Sequence, residues 1–216
     1  MRKLTLALSS LLFLFFTTFN ANAISVGVSV IQSDFDGTGT EKVGGTNSNT
    51  GSASKSATYG SLFFESAPSD NGWVVGLDWV PGSATFVSES KTQTNITSGK
   101  SATESKTQKV AADLDNHLTL YVEKDIYNGI YLMAGFIQVD ITTNESIGTG
   151  SKYPDDELFG ATYGIGYRYN MDNLFIKLEA NISEYDDIAL SSSNTTNTVT
   201  GDFDATSGKI SVGYSF

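Results

Sequence analysis

Ionisable side chains alternate with apolar ones along several segments of this chain. Asp113, Asp115, His117 and Glu123 are interleaved with Ala112, Leu114, Leu118 and Val122. Asp78 stands between Leu77 and Trp79, Arg168 between Tyr167 and Tyr169, and Lys177 and Glu179 flank Leu178. Lys209 precedes Ile210. Charges of both signs gathered in a narrow interior pair with one another, because a buried charge without a partner is costly. Two chemistries follow: a structural ion-pair network, or a narrow ion path that prefers cations because acid exceeds base. His117 is the single histidine and a natural candidate for a general base. A base needs a nucleophile on its own face. In His117-Leu118-Thr119, Leu118 belongs to the apolar set and His117 to the polar one, and no Gly-x-Ser-x-Gly elbow accompanies them. No catalytic residue is assigned.

Metal chemistry has little to work with. The chain has no Cys. Asp34-Phe35-Asp36-Gly37-Thr38-Gly39 lacks the further ligands and terminal Glu of a calcium loop. The reading is no cofactor and no resident metal. Acidic clusters at Asp155-Asp156-Glu157 and Glu184-Tyr185-Asp186-Asp187 read as solvated edges suited to weak divalent-cation association. A formal charge of −11 argues against nucleic acid, since phosphate contacts need Lys and Arg.

What must position these residues is read from the same alternation. A period of two is a strand with unlike faces. Eight such segments are expected, at about 24–33, 57–67, 72–87, 108–124, 129–142, 157–169, 174–185 and 206–216. In each the apolar set forms one face, while the other is polar or Gly, as with Phe159, Ala161, Tyr163 and Ile165 against Gly160, Thr162, Gly164 and Gly166. A soluble barrel buries its apolar face and does not place Arg168, Lys177 and Glu179 inside. The apolar face here is therefore read as lipid-facing. The connections alternate between turn-like (68–71, 125–128, 170–173) and long and polar (34–56, 88–107, 143–156, 186–205). Short turns on the periplasmic side and long loops outside give an all-β, eight-stranded antiparallel up-and-down transmembrane β-barrel. Trp73, Trp79, Tyr127, Tyr131, Tyr167 and Tyr169, with Phe175, are expected beside the short turns as an interfacial aromatic girdle. An eight-stranded barrel is only wide enough for its own side chains.

Both ends of the chain agree. Arg2 and Lys3, the apolar run from Leu4 to Phe19, and Ala21-Asn22-Ala23 read as a signal peptide over 1–23 with cleavage near Ala23, leaving 24–216 as the barrel. At the other end Ile210, Val212, Tyr214 and Phe216 share one face of a strand that stops on an aromatic.

The terminal pattern, the signal peptide and the alternation of short and long connections together resemble the small OmpA-like and opacity-protein-like outer-membrane barrels. The resemblance implies recognition of the terminal strand by the barrel-insertion machinery, residence in the bacterial outer membrane, and contact with lipid and lipopolysaccharide. The acidic clusters would then face lipopolysaccharide phosphates. His117-x-Thr119 bears a superficial likeness to the His-x-Ser of a lipid A deacylase family, with His117 on the wrong face. Three roles follow: a structural or surface-interaction barrel whose loops meet an external ligand or partner, a narrow porin-like channel, and a lipid-modifying enzyme. The first is preferred, because loops on a rigid scaffold commonly carry function.

Overall fold

The structure is a computed structural model that describes residues 24–43, 47–95, 104–146, 152–193 and 195–216. The expected signal peptide lies outside the described residues. The strands are β1 (Ile24–Val43), β2 (Asn47–Ser66), β3 (Trp73–Asn95), β4 (Glu104–Tyr127), β5 (Ile130–Ser146), β6 (Asp156–Met171), β7 (Leu174–Tyr185), β8 (Ile188–Ser191) and β9 (Thr198–Ser215). All pairings are antiparallel in the order β1-β2-β3-β4-β5-β6-β7-β9, and β9 pairs back onto β1. The result is a closed ring of eight strands. β8 is a short addition that pairs with β9 at its outer end.

The strands outrun the segments read from sequence. The β1–β2 ladder continues to Val43↔Asn47, and β3–β4 to Asn95↔Glu104. Much of 34–56, 88–107 and 186–205 is therefore strand and not loop. Ladder bonds are made by backbone, so a segment polar on both faces still pairs where both faces are wet. Cross-strand polar pairs tie this part of the hairpin: Thr40 with Thr50 at 3.1 Å, Ser56 with Asp34, and Thr58 with Gln32. Each contributes a few tenths of a kcal/mol to about 1 kcal/mol. A tilted membrane strand needs roughly 9–11 residues; β1 and β2 have 20 each. The wall thus continues well outside the apolar band.

On the opposite side the connections are tight. Asn128 (φ 48°) and Gly129 (φ 85°) form the two-residue turn between β4 and β5, the backbone that a right-twisted hairpin favours. Asp172 (φ 54°) serves β6–β7. In the β2–β3 turn, Gly72 N–H donates to the Ser69 carbonyl at 2.7 Å.

Four aromatic side chains in the lumen each lie on a glycine directly across the ladder: Phe63 on Gly27, Tyr121 on Gly76, Tyr131 on Gly166 and Phe175 on Gly213. A Cβ at any of these glycines would stand 2.2–2.3 Å from a ring atom. Each joint belongs to a different hairpin on the outer side, and together they form an aromatic collar. Tyr131 is 0% exposed. This overturns its place in the interfacial girdle: the two-residue turn starts β5 with Ile130 facing lipid, so Tyr131 faces in. Phe175 is inward for the same reason of parity.

Irregularities in β3 and β4 re-aim the wall. In β4 the register shifts between Asp115 and Leu118, with Asn116 at φ 51°, a left-handed conformation that Asn tolerates. The extra residue reverses the parity. His117, Thr119, Tyr121 and Glu123 face in, whereas Asp115 pairs with Asp140 on the outer surface and accepts a bond from Thr142 at 2.8 Å. Asp113 pairs with Thr142 on that same outer row; its side chain lies outside the described residues. Asp115 is not in the lumen, contrary to the reading of an unbroken alternation. In β3 the register shifts between Val80 and Ser83, where Pro81 has no N–H to donate and Gly82 adopts φ 99°. Among the described residues β2 and β3 share only the rungs Leu62↔Trp79 to Glu65↔Gly76 and then part. Above that point the wall has a side seam.

Candidate functional site

The lumen is filled in layers. Innermost is the collar, which encloses Glu65, Glu123, Arg168 and Lys177. Arg168 Nη2 lies 2.8 Å from Glu65 Oε1 and 2.6 Å from Glu123 Oε2. Lys177 Nζ lies 2.9 Å from Glu65 Oε2 and 2.6 Å from Glu123 Oε1. Two cations and two carboxylates thus alternate in a closed square. Lys177 is 0% exposed. Tyr121 OH donates to Glu65 Oε2 at 3.0 Å. The collar faces the cations with rings: Lys177 Nζ is 4.9 Å from the Phe63 ring centre and 5.2 Å from that of Tyr121, and the Arg168 guanidinium is 4.8 Å from Phe175. Desolvated cation–π contacts of this kind are worth about 2 kcal/mol.

One inward position further out, Lys209 Nζ contacts Asp78 Oδ2 at 2.7 Å and Glu179 Oε2 at 3.2 Å. Beyond it lies a cavity of about 50 Å³ lined by His117, Tyr59, Asn181, Ser183, Tyr185 and Lys209, among others. Tyr185 OH is 3.3 Å from His117 Nε2, and Tyr59 OH 2.8 Å from Ser33 Oγ. Outermost is an apolar cluster of Phe35, Val139, Ile141, Leu158, Phe203 and Ala205, on which Tyr59 and Tyr185 pack.

The structure thus brings Asp78, Glu123, Arg168, Lys177, Glu179 and Lys209 together in the lumen, with His117 at the cavity above them. Glu65 of β2, which the sequence analysis above does not name, is a corner of the central square. Parity on β2 was its only signal. The apolar cluster and the collar were not foreseen, because each needs the cross-strand register.

Outside, the apolar band runs round the barrel and includes Val28, Leu62, Phe64, Leu132, Ile165, Leu178, Ile182, Ile210 and Val212. Trp73, Tyr127, Tyr167, Tyr169, Tyr214 and Phe216 are exposed on it near the short turns. Lys124 Nζ caps Trp73 at 5.4 Å. Trp79 is exposed too, but it stands six residues up β3 beside Leu62 and Leu118. It marks the outer part of the band and not the turn side where it was expected. Just beyond the band, Asp36, Asp204 and Glu184 lie side by side on β1, β9 and β7.

No protein-family model matches this chain, and neither does any curated protein sequence. Among solved structures it is similar to the outer membrane protein OprG from Pseudomonas aeruginosa, with a TM-score of 0.52 and 16% identity over 91% of this chain and 96% of that one. More distant likenesses include Ail, the attachment invasion locus protein of Yersinia pestis (TM-score 0.40, 13% identity, 88% and 99% covered). Neisserial surface protein A is another (TM-score 0.37, 9% identity, 87% and 97% covered). With its closed ring of eight strands and its exposed apolar band, the chain has the fold of a transmembrane β-barrel, the fold it shares with OprG.

Proposed function

We propose that this barrel is non-enzymatic and does not conduct along its axis, and that it works on the outer side through the part of its wall that projects beyond the membrane. The carrying observation is the continuous ladder of β9–β1–β2, unbroken out to Lys42↔Thr198 and Val43↔Asn47. A rigid, Ser/Thr-rich surface of that length suits contact with an external ligand, another cell or envelope components. The Asp36, Asp204 and Glu184 row suits lipopolysaccharide phosphates through shared divalent cations. The filled lumen counts against the narrow cation path: the four-charge square and its collar leave the cations saturated. Refolded barrel in a planar bilayer, with heat-modifiable gel migration as proof of folding, is expected to be silent; stable unitary steps would sink this reading. Excising 37–53 joins Asp36 directly to Ser54, its partner across the ladder, so that these two become the turn above the pair Phe35↔Lys55. It is expected to preserve folding and abolish aggregation of cells that display the barrel. Aggregation unchanged by the excision would move the function elsewhere.

The side seam favours a second reading, a lateral passage for small molecules between the outer chamber and the outer leaflet. Pro81 and Gly82 turn β3 away from β2 at the height of the cavity. Pro81→Val with Gly82→Ala is expected to extend β2–β3 pairing and to slow transfer of an apolar fluorescent probe into barrel-containing vesicles. Equal transfer rates in the native protein and this variant would exclude it.

A further inference from the structure

Seven seams of the ring join strands that are linked through a turn or an outer connection. The eighth, β1–β9, joins the first strand to the last and has neither. Its lumen side is bare where the apolar band surrounds it. Three successive inward rungs are Ser25↔Ser215, Gly27↔Gly213 and Ser29↔Ser211. The serine hydroxyls bond across the seam, at 2.8 Å and 2.9 Å. Among the described residues no other seam has two successive inward rungs of Ser and Gly alone. The four-charge square ties β2, β4, β6 and β7 together. It takes nothing from β1 or β9, which fill the gap between β7 and β2.

Two rings cover the bare stretch. Phe63 reaches from β2 over Gly27, and Phe175 from β7 over Gly213. The two glycines face one another across the seam. The rings meet above them, with centres 6.1 Å apart and planes at 55°. Phe63 is 0% exposed and Phe175 2%. On the lumen side Lys177 Nζ lies over Phe63 and the Arg168 guanidinium over Phe175. A Cβ at Gly27 would also stand 2.4 Å from the Val212 carbonyl of β9. Glycine there serves the rings and the close backbones alike. Phe63 and Phe175 belong to strands that are not neighbours, so their contact exists only while β1 and β9 are joined. An interaction made only in the closed form slows opening and leaves earlier steps of assembly alone. Parting at the side seam is a different event, because β2 and β3 stay tied by their turn and the two rings stay in contact. We propose that the Phe63–Phe175 contact is a strap across the closing seam, that the ring opens between β1 and β9, and that the strap sets how fast it does so.

The chain has no Cys, so Ser29→Cys with Ser211→Cys introduces the only two thiols, at side chains already in contact. Ser25→Cys with Ser215→Cys is the alternative pair if the first does not oxidise. Barrel refolded in lipid vesicles is unfolded in urea at fixed temperature, and loss of the compact form on a gel gives the opening rate. Oxidising the thiol pair is expected to slow opening by about tenfold or more. Without the disulfide, Phe63→Leu and Phe175→Leu are each expected to speed opening about tenfold, as loss of a buried ring does. The double variant is expected to open about threefold more slowly than the product of the single effects, the share that belongs to the ring pair. With the disulfide formed, the ring substitutions are expected to lose most of their effect. Methionine replaces leucine at either position if the first variant does not refold. An opening rate indifferent to the disulfide places the break at the side seam and overturns the proposal. So do strictly additive ring substitutions, or ring substitutions that speed opening equally with the disulfide formed.

Discussion

Lys177 shows how the interior charge is held. Its ammonium has no solvent and two carboxylates, and Arg168 completes the square on the other side. Substituting Lys177→Met leaves Glu65 and Glu123 facing one another with a single cation between them. The expected loss is about 3–5 kcal/mol, the usual result of stranding a buried charge, read from urea unfolding in lipid vesicles. Adding Glu123→Gln leaves the Arg168–Glu65 pair balanced and is expected to restore most of that loss; additive effects of the two changes would contradict the closed square. Most of this set was legible in the sequence, because an ionisable residue in a two-residue alternation must share a face with its polar neighbours. Asp115 was misread for a local reason. Asn116 inserts one residue into β4, and nothing in composition marks an Asn that will adopt positive φ.

At the level of strands, the joints between aromatic and glycine do the spacing. Gly166→Ala would drive a methyl to within 2.3 Å of the Tyr131 ring and is expected to cost about 1–3 kcal/mol, as overpacking does. Pairing it with Tyr131→Ser is expected to remove that clash, which urea midpoints of the single and double variants would show. Asn116→Gly is expected to be tolerated. Asn116→Val should destabilise by about 1–2 kcal/mol, because a branched side chain resists the left-handed backbone that the bulge needs. Strand positions were readable wherever one face was apolar and the other polar. The outer halves of β1 and β2 escaped because both of their faces are polar, so alternation fades where the lipid ends although the ladder does not. Tyr131 was misplaced because a register shift between Asp125 and Tyr127 inserts one residue before the turn and reverses the parity of β5.

For the molecule as a whole, closure of the lumen makes a prediction opposite to that for the native barrel. Arg168→Ala with Lys177→Ala removes both cations of the square and leaves its carboxylates unpaired. If the variant folds, a cation-preferring conductance is expected in place of silence, measured by reversal potential under a salt gradient; a silent folded variant would mean that the outer apolar cluster also seals. The architecture was legible at this scale from alternation and connection lengths. The side seam was not, since Pro81-Gly82 reads as an ordinary interruption until the neighbouring strand is known. The four joints carry one more consequence, for assembly. Polar-in, apolar-out alternation cannot distinguish pairings that differ by two residues, because both keep every side chain on its proper face. A hairpin displaced by two would set Phe63 against Ser25 or Ser29 instead of Gly27, where an Oγ already fills the space. Each hairpin thus carries its own vernier mark, and the barrel can be checked for alignment one hairpin at a time before the ring is closed.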